Sequence, residues 1–361
     1  MKTPKQLSFA DALKWMKSTA EEGDVEAQFN LGMMYAEGEG VAQSDEEAAR
    51  WFAKAAERGF LDAQSELGAM YAEGRGVAQD DVEAVKWYRK AAEQGNTAAQ
   101  SDLAYMYFSG RGVEQDEAKA VEWNKKAAEQ GFALAQYNLA GMYFRGECVE
   151  QSDEEALKWV RRAASQGFPP AQQALGCTYA EGLGIKQDDK EAVKWYRKAA
   201  TQGDAMAQFS LGIMYAEGRG VARSDVDAAK WFREAAEQEL DDAQYELGIM
   251  YAEGRGVPQN AAEAVQWYRK AAEQGNVDAQ FNLGLMYAEG EGVAQDDTEA
   301  LEWFRKAAEQ GDAGAQFNLG MMYAEGEGIE QDNAEAVKWL RKAAEQGDED
   351  ALDELKRLER D

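Results

Sequence analysis

The sequence contains no histidine. That absence removes the Ser-His-Asp and Cys-His nucleophilic devices, imidazole metal ligation and imidazole acid-base chemistry together, and it weighs against most enzyme classes. Cysteine is almost absent as well. Cys148 and Cys177 stand in different contexts of neighbouring segments, which is not the regular framework of a disulfide-stapled secreted array. Both are read as free thiols, a single bridge between them being the alternative. Positive charge is scarce, with 39 Lys plus Arg against 68 Asp plus Glu and a net charge of -29. Such a field repels phosphate backbones and anionic headgroups, so nucleic acid and membrane surfaces are disfavoured as partners. No apolar run is long enough to span a bilayer, and the opening MKTPKQLSFADALKW has no continuous apolar stretch of the kind a signal peptide needs. The expected compartment is the cytoplasm.

What the chain does have is repetition. A length of 361 residues would suggest two or three domains, but an internal period overrides that prior. Gln28, Gln64, Gln100, Gln136, Gln172, Gln208, Gln244, Gln280 and Gln316 each follow the last by thirty-six residues. All ten tryptophans, Trp15 through Trp339, keep the same period. With 45% hydrophobic residues and all three aromatics, the chain can bury a core.

Each unit reads as two helices and two breaks. In the first, Ala27, Leu31, Met34 and Tyr35 form one face of an amphipathic helix, here called A, which Gly38 and Gly40 then end. Ser44 with Glu47 reads as a capping box that opens helix B, and Asp80 with Glu83 and Ser152 with Glu155 repeat it. Helix B buries Ala48, Trp51, Phe52, Ala55 and Ala56 and stops at Gly59. One unit cannot cover both stripes, so stacking is required. A glycine inside helix A costs about 1 kcal/mol, yet it recurs at Gly32, Gly68, Gly176, Gly212, Gly248, Gly284 and Gly320. Close interhelical packing is the expected compensation. The tryptophans fall on the B packing stripe and are expected to be buried structural residues. Glu239 stands where the other units end helix B with glycine, which predicts a strained and distorted turn.

The expected fold is all-α: an α/α superhelical solenoid over residues 1–361, drawn out as a single curved rod. A capping helix over 8–23, nine repeats over 24–347 and a second cap over 348–361 give twenty helices and no sheet.

The pattern A-x-A-Q-x-x-L-G-x-x-Y-x-x-G-x-G-V followed by E-A-x-x-W-x-x-K-A-A-x-x-G resembles the Sel-one-like repeat family, relatives of the tetratricopeptide repeats, over essentially the whole chain. The resemblance implies a right-handed superhelix of paired antiparallel helices. It also implies an adaptor that holds partner proteins, with no catalytic residues and no cofactor to carry over. Some cysteine-rich secreted relatives are linked to penicillin-type ligands; this sequence lacks their cysteines, and no secretory leader is expected.

Function must then come from departures within the repeat. The Gly38-Glu39-Gly40 element follows a helix, where a phosphate-binding loop precedes one, so it is read as structural. The periodic glutamates from Glu37 to Glu325 recur in too many units to mark an acid-base pair or a metal site. Residues 26, 30, 33 and 37 form a stripe of helix A opposite its packing face, which in the resembling superhelices lines the concave surface. Early and late repeats make that stripe acidic, as in Asp62, Glu66, Glu73 and Asp242, Glu246, Glu253. Between them it loses charge, and Phe108 and Phe144 replace alanine. The expected partner-contact residues are therefore Tyr105, Phe108, Leu134, Asn138, Phe144, Arg145, Cys177, Met206 and Ile213, an apolar patch rimmed by charge. The competing explanation is drift in a degenerate repeat. The resulting expectation is a scaffold binding a protein or peptide, one with a basic surface fitting best, without metal, cofactor or enzymatic activity. An acidic inhibitor or immunity-type protein covering a basic partner is the alternative, and a hydrolase or small-ligand binder like the cysteine-rich relatives stands behind it.

Overall fold

A computed structural model describes residues 9–358. Among them are twenty α-helices and no strand, as expected. Packing divides the chain into two compact units, Met1–Ala171 and Gln172–Asp361. The first holds α1 (Phe9–Glu21), α2 (Val25–Glu37), α3 (Asp45–Glu57), α4 (Leu61–Glu73), α5 (Asp81–Glu93), α6 (Thr97–Ser109), α7 (Glu117–Glu129), α8 (Ala133–Arg145) and α9 (Asp153–Ser165). Helix α10 (Pro169–Glu181) begins at its end and runs into the second. The second unit continues with α11 (Asp189–Ala200), α12 (Ala205–Glu217), α13 (Asp225–Ala236), α14 (Asp241–Glu253), α15 (Ala261–Glu273), α16 (Val277–Glu289), α17 (Asp297–Glu309), α18 (Ala313–Glu325), α19 (Asn333–Glu345) and α20 (Glu349–Leu358). Even-numbered helices are of type A and odd-numbered of type B. Within each unit a helix packs chiefly on its neighbours in sequence, which is the connectivity of a solenoid.

Local chemistry sets the helix ends. Ser44 accepts from the Glu47 N–H, Asp80 from the Val82 and Glu83 N–H groups, and Ser152 from the Glu155 N–H. Only half of each expected capping box forms, because the glutamates turn outward to Arg50, Lys86 and Lys158. The N–H groups of Ser44, Asp80 and Ser152 donate instead to the carbonyls of Tyr35, Tyr71 and Tyr143 near the end of the preceding A helix. Each A helix from α2 to α18 closes on a left-handed glycine; at Gly38 φ is 74° and the N–H donates to the Met34 carbonyl. The second glycine of the loop has a different task. A Cβ at Gly76 would lie 2.0 Å from the carbonyl oxygen of Asp45, so the loop touches the start of the preceding B helix. Cys148 holds that place in the fourth repeat with φ 60°, a left-handed strain the sequence reading missed.

The core of six of the nine repeats is a ring set into a glycine, and in the ninth Leu340 takes the ring's place against Gly320. A Cβ at Gly32 would stand 2.6 Å from the Phe52 ring, and the same closeness recurs for Gly68 with Tyr88, Gly212 with Phe232 and Gly284 with Phe304. Two repeats of the first unit break the rule on both sides at once. Ala104 and Ala140 replace the glycine, and Asn124 and Val160 replace the ring. All four are buried. The Oδ1 of Asn124 is left without a partner there, and its Nδ2 reaches only the Met142 sulfur at 3.7 Å.

A second ladder joins one repeat to the next. Gln64 donates to the Ala56 carbonyl at 3.1 Å and accepts from Gln94 at 2.8 Å, and equivalent pairs recur through Gln346 and Gln316. These buried amides satisfy the ends of the B helices against which they lie. The first rung is incomplete: Arg58 stands in the place of Gln94 and donates to the Gly23 carbonyl, so the Gln28 Oε1 is buried without a partner.

The tryptophans pack as expected, with one exception. Trp51, Trp87, Trp159, Trp303 and Trp339 are buried and Trp123, Trp195, Trp231 and Trp267 half-buried, whereas Trp15 is 63% exposed. In seven repeats a lysine three residues on covers the outer ring face, as Lys54 does over Trp51 at 3.6 Å and Lys306 over Trp303 at 3.7 Å, and Arg162 does so over Trp159. Glu239 adopts φ 66°, the predicted strain. The predicted distortion does not follow. Its N–H still donates to the Ala236 carbonyl at 3.1 Å, and the Leu240 N–H reaches the Ala235 carbonyl at 3.4 Å, no longer than the Phe168 N–H to the Ala163 carbonyl in a glycine turn.

Two stability measurements check this packing. Asn124→Tyr alone should overpack the Ala104 methyl and cost about 1–3 kcal/mol, whereas Ala104→Gly with Asn124→Tyr restores the notch. The two changes should be coupled by about 1 kcal/mol or more in urea unfolding; additive effects would show that the notch does not govern the repeat. Glu239→Gly should raise stability by about 1 kcal/mol through relief of the left-handed strain.

Candidate functional site

The face that the A helices turn away from the B helices carries the side chains that vary. In the first unit α2 presents Glu26, Asn30, Met33 and Glu37, α4 presents Asp62, Glu66, Ala69 and Glu73, and α6 presents Ala98, Asp102, Tyr105 and Ser109. Of the nine expected contact residues, six lie here, on α6 and α8. Tyr105 is 56% exposed, Phe108 40%, Leu134 39% and Phe144 37%, and Asn138 and Arg145 are also exposed. The remaining three lie in the second unit. Met206 on α12 is exposed, whereas Ile213 is half-buried against the α13 and α14 core. Cys177 on α10 is half-buried and accepts from the Tyr196 hydroxyl and the Gln173 amide at 3.2 Å each. The nine residues therefore fall into two sets, and two members of the second set already serve the core. Both cysteines are free.

Neighbouring groups hold the exposed set of the first unit in place. Arg145 pairs with Glu147 at 2.8 Å, and its guanidinium lies where a side chain at Gly141 would stand, 3.2 Å from that missing Cβ. Arg111, which lies beside the Tyr105 hydroxyl, bridges Asp81 at 2.7 Å and the Ala72 carbonyl at 3.1 Å.

Acidic side chains cluster beside this set more closely than the sequence pattern suggested. Burial pushes the Glu66 carboxyl above the usual carboxylate range; Arg75 opposes the rise, and Asp62, Glu73 and Glu37 add to it. Asp102 is pushed up to about 6, first by burial and then by Glu66 and Glu73. No side-chain hydrogen bond or ion pair reaches the carboxylate of Asp102 or Glu66 among the described residues. In the second unit burial raises Glu246 against the opposing pull of Arg255, with Asp242, Glu253 and Glu217 adding to the rise. Burial, Asp241 and Asp278 raise Asp242 in the same way. Asp102 belongs to the middle stretch where the stripe loses charge along the sequence, but the charges that act on it are on α4, one repeat back. The signal was available in the thirty-six-residue offset from Glu66 to Asp102. Among the described residues no group of three or more Cys, Asp or Glu is arranged to hold a metal ion, and no helix is long and apolar enough to cross a membrane. The face can thus offer apolar contact and unpaired negative charge.

Comparison with known proteins agrees with this architecture. The family model for the Sel1 repeat matches ten times, over residues 4–24, 25–60, 61–96, 97–132, 133–168, 169–204, 205–240, 241–276, 277–312 and 313–348. The chain is similar to a protective antigen present in uropathogenic Escherichia coli strains that displays an SLR fold. That match has 37% identity and a TM-score of 0.69 and covers 96% of this chain and 82% of that one. It is also similar to a Sel1 repeat protein from Oxalobacter formigenes, at 36% identity and a TM-score of 0.47, covering 96% and 90% of the two chains. A signal transduction ATPase with numerous domains and a tetratricopeptide repeat sensor, from Pyrococcus horikoshii, shares the fold at 15% identity and a TM-score of 0.52, covering 92% of this chain and 54% of that one. No curated protein matches the chain.

The raised acid gives a pH dependence with a definite sign. Asp102 binds its proton more tightly folded than unfolded, so its contribution to stability is fully present below pH 3.8 and is lost as pH rises through about 6. That difference amounts to at most about 3 kcal/mol. Asp102→Asn should remove this loss and be the more stable protein at pH 7. Urea midpoints of the two proteins at pH 4.5 and 7 will test it, and a gap that does not widen with pH would contradict the placement of Asp102.

Proposed function

Because the chain belongs to the Sel1 repeat family, we propose that it is a protein-binding scaffold and not an enzyme, working in the cytoplasm through the exposed face of its A helices. The observation that carries this reading is the contrast between two kinds of position. Those that build the notch, the glutamine ladder and the tryptophan stripe repeat nearly unchanged. The exposed positions of the A helices differ from repeat to repeat, and on α6 and α8 they leave large apolar side chains in water. A packing role does not require Tyr105, Phe108, Leu134 or Phe144 to be aromatic or long, since other repeats place alanine, glycine or acids there. Large side chains of this kind anchor protein interfaces.

The family fixes repeats, not catalytic groups, and nothing in this face pairs a nucleophile with a base. The acid sets on α4 with α6 and on α14 with α16 favour a second mode within the same reading, in which negative charge covers a basic partner surface.

Affinity purification with mass spectrometry identifies the partner, and Tyr105→Ala with Leu134→Ala tests the face. Recovery of that partner should fall by about tenfold or more at unchanged helical content. Equal recovery would remove the middle of the face from the contact. Raising salt from low to high should weaken a charge-covering complex steeply and an apolar one little.

A further inference from the structure

We infer that the face of α4, α6 and α8 in the first unit seats a partner segment carrying a lysine or arginine beside an aromatic or aliphatic side chain. The cation enters between Glu66 and Asp102, and the apolar group lies on Tyr105 and Phe108. This rests on the scaffold reading and adds the chemistry of the partner.

The apolar half of the face is particular to this place. Of the large hydrophobics exposed on A helices, α6 carries Tyr105 and Phe108 and α8 carries Leu134 and Phe144, while no other described A helix carries two. The charged half adjoins it. Asp102 and Tyr105 are three residues apart on α6 and so share one face of the helix. Asp102 stands against Glu66 and Glu73 of α4, which repel its charge, and burial keeps the nearby Tyr88 hydroxyl of α5 protonated. Helices α7 and α8 bring no charge to it. The nearest cation on α4's side, Arg75, is already paired with Glu73. Two part-buried carboxylates without a donor, next to exposed aromatics, are complementary to a cation on an apolar segment.

The second unit supplies a natural control. Five repeats on, Glu246 and Glu253 keep the acids of Glu66 and Glu73, but Asn282 replaces Asp102, Leu285 replaces Tyr105 and Ala288 replaces Phe108. Asn282 donates to the Tyr245 hydroxyl at 3.4 Å, and Leu285 is half-buried against the core. The acid pair is present there without the third carboxylate or the exposed ring, so the second unit lacks the combination.

The test is selection of a phage-displayed random dodecapeptide library on the immobilised full chain. Selected peptides should pair Lys or Arg with a neighbouring aromatic or aliphatic residue. Glu66→Gln with Asp102→Asn, and separately Tyr105→Ala with Phe108→Ala, should each weaken the best peptide by about tenfold or more, while Glu246→Gln leaves it unchanged. The carboxamide pair removes repulsion and keeps side-chain size, and its unfolding midpoint verifies the fold. Titration calorimetry at pH 6 in two buffers of different ionisation enthalpy should report proton release with the wild type and less with Asp102→Asn, because a bound cation favours the ionised carboxylate. Peptides without Lys or Arg, affinity indifferent to the carboxamides, loss of affinity with Glu246→Gln, or no selection at all would each overturn the inference. So would wild-type self-association that the variants abolish, since the occupant would then be a second copy. If the peptide result fails while Tyr105→Ala with Leu134→Ala still loses the purified partner, only this inference falls and the scaffold reading stands.

Discussion

The contact between a helix B ring and a helix A glycine sets the geometry on which everything else in a repeat depends. With a ring atom 2.6 Å from the place of a glycine Cβ, the ring packs directly on the backbone of the facing helix. A methyl at that point has no room unless the ring is removed, and removing the ring alone leaves a void. The glycine's loss of helix propensity, about 1 kcal/mol, is offset by burial of a Phe or Tyr side chain worth about 1.5–3 kcal/mol. Once the pair is fixed, the A helix ends over the start of its B helix, the loop glycine meets the preceding repeat, and the glutamine reaches the rung beyond.

Where the rule is broken, it is broken by matched changes. Ala104 with Asn124 and Ala140 with Val160 exchange a notch and ring for a methyl and a smaller partner. The exchange conserves volume only approximately, and the Asn124 Oδ1 stays buried without a donor. The third repeat therefore holds a buried polar atom that its siblings lack at that position, and it is also the repeat that carries Asp102, Tyr105 and Phe108. Departures in packing and departures in surface chemistry coincide there.

The period, the helix pairs, the caps and the role of the glycines were legible in the sequence because each is written many times at one spacing, and repetition separates signal from local noise. Features that need two positions read together were harder to see. The replacement of Tyr by Asn at 124 was visible, but its dependence on Ala104 required the interhelical distance. The outward turn of Glu47, Glu83 and Glu155 required knowing that a carbonyl of the A helix already takes the cap N–H. Cys148 looked like a thiol question and is a backbone question, since its place in the loop has a left-handed φ and adjoins Glu117. In the candidate site Phe108 and Phe144 are exposed at a position where the other repeats bury or half-bury alanine, whereas the exposure of Tyr105, Leu134 and Met206 followed from the helical phase of the stripe. Cys177 and Ile213 share that phase but lean into the core, a rotamer outcome that phase does not encode.

Asp102 shows why the electrostatics of such a surface resist a helix-by-helix reading. Along α6 its neighbours are Ala98, Tyr105 and Ser109, and the stripe looks neutral. Across the stack it faces Glu66 and Glu73, and the surface is acidic. In a solenoid the lateral neighbour is a full repeat away in sequence yet adjacent in space, so charge must be read in two dimensions. The fold tolerates this repulsion because the notch and the ladder do not involve the outward stripe. The positions that would relieve it, on α6 or α8, instead carry Tyr105 and Asn138, neither of them a cation. A surface that carries unrelieved negative charge beside exposed rings is less stable than its own neighbours show it could be. The second unit makes the cheaper choice of Asn282 and Leu285 at the same places. Both units carry repelling acids, but the additional carboxylate of Asp102 is a cost in stability placed beside exposed apolar side chains, which is the pattern expected when recognition and not packing selects the residue.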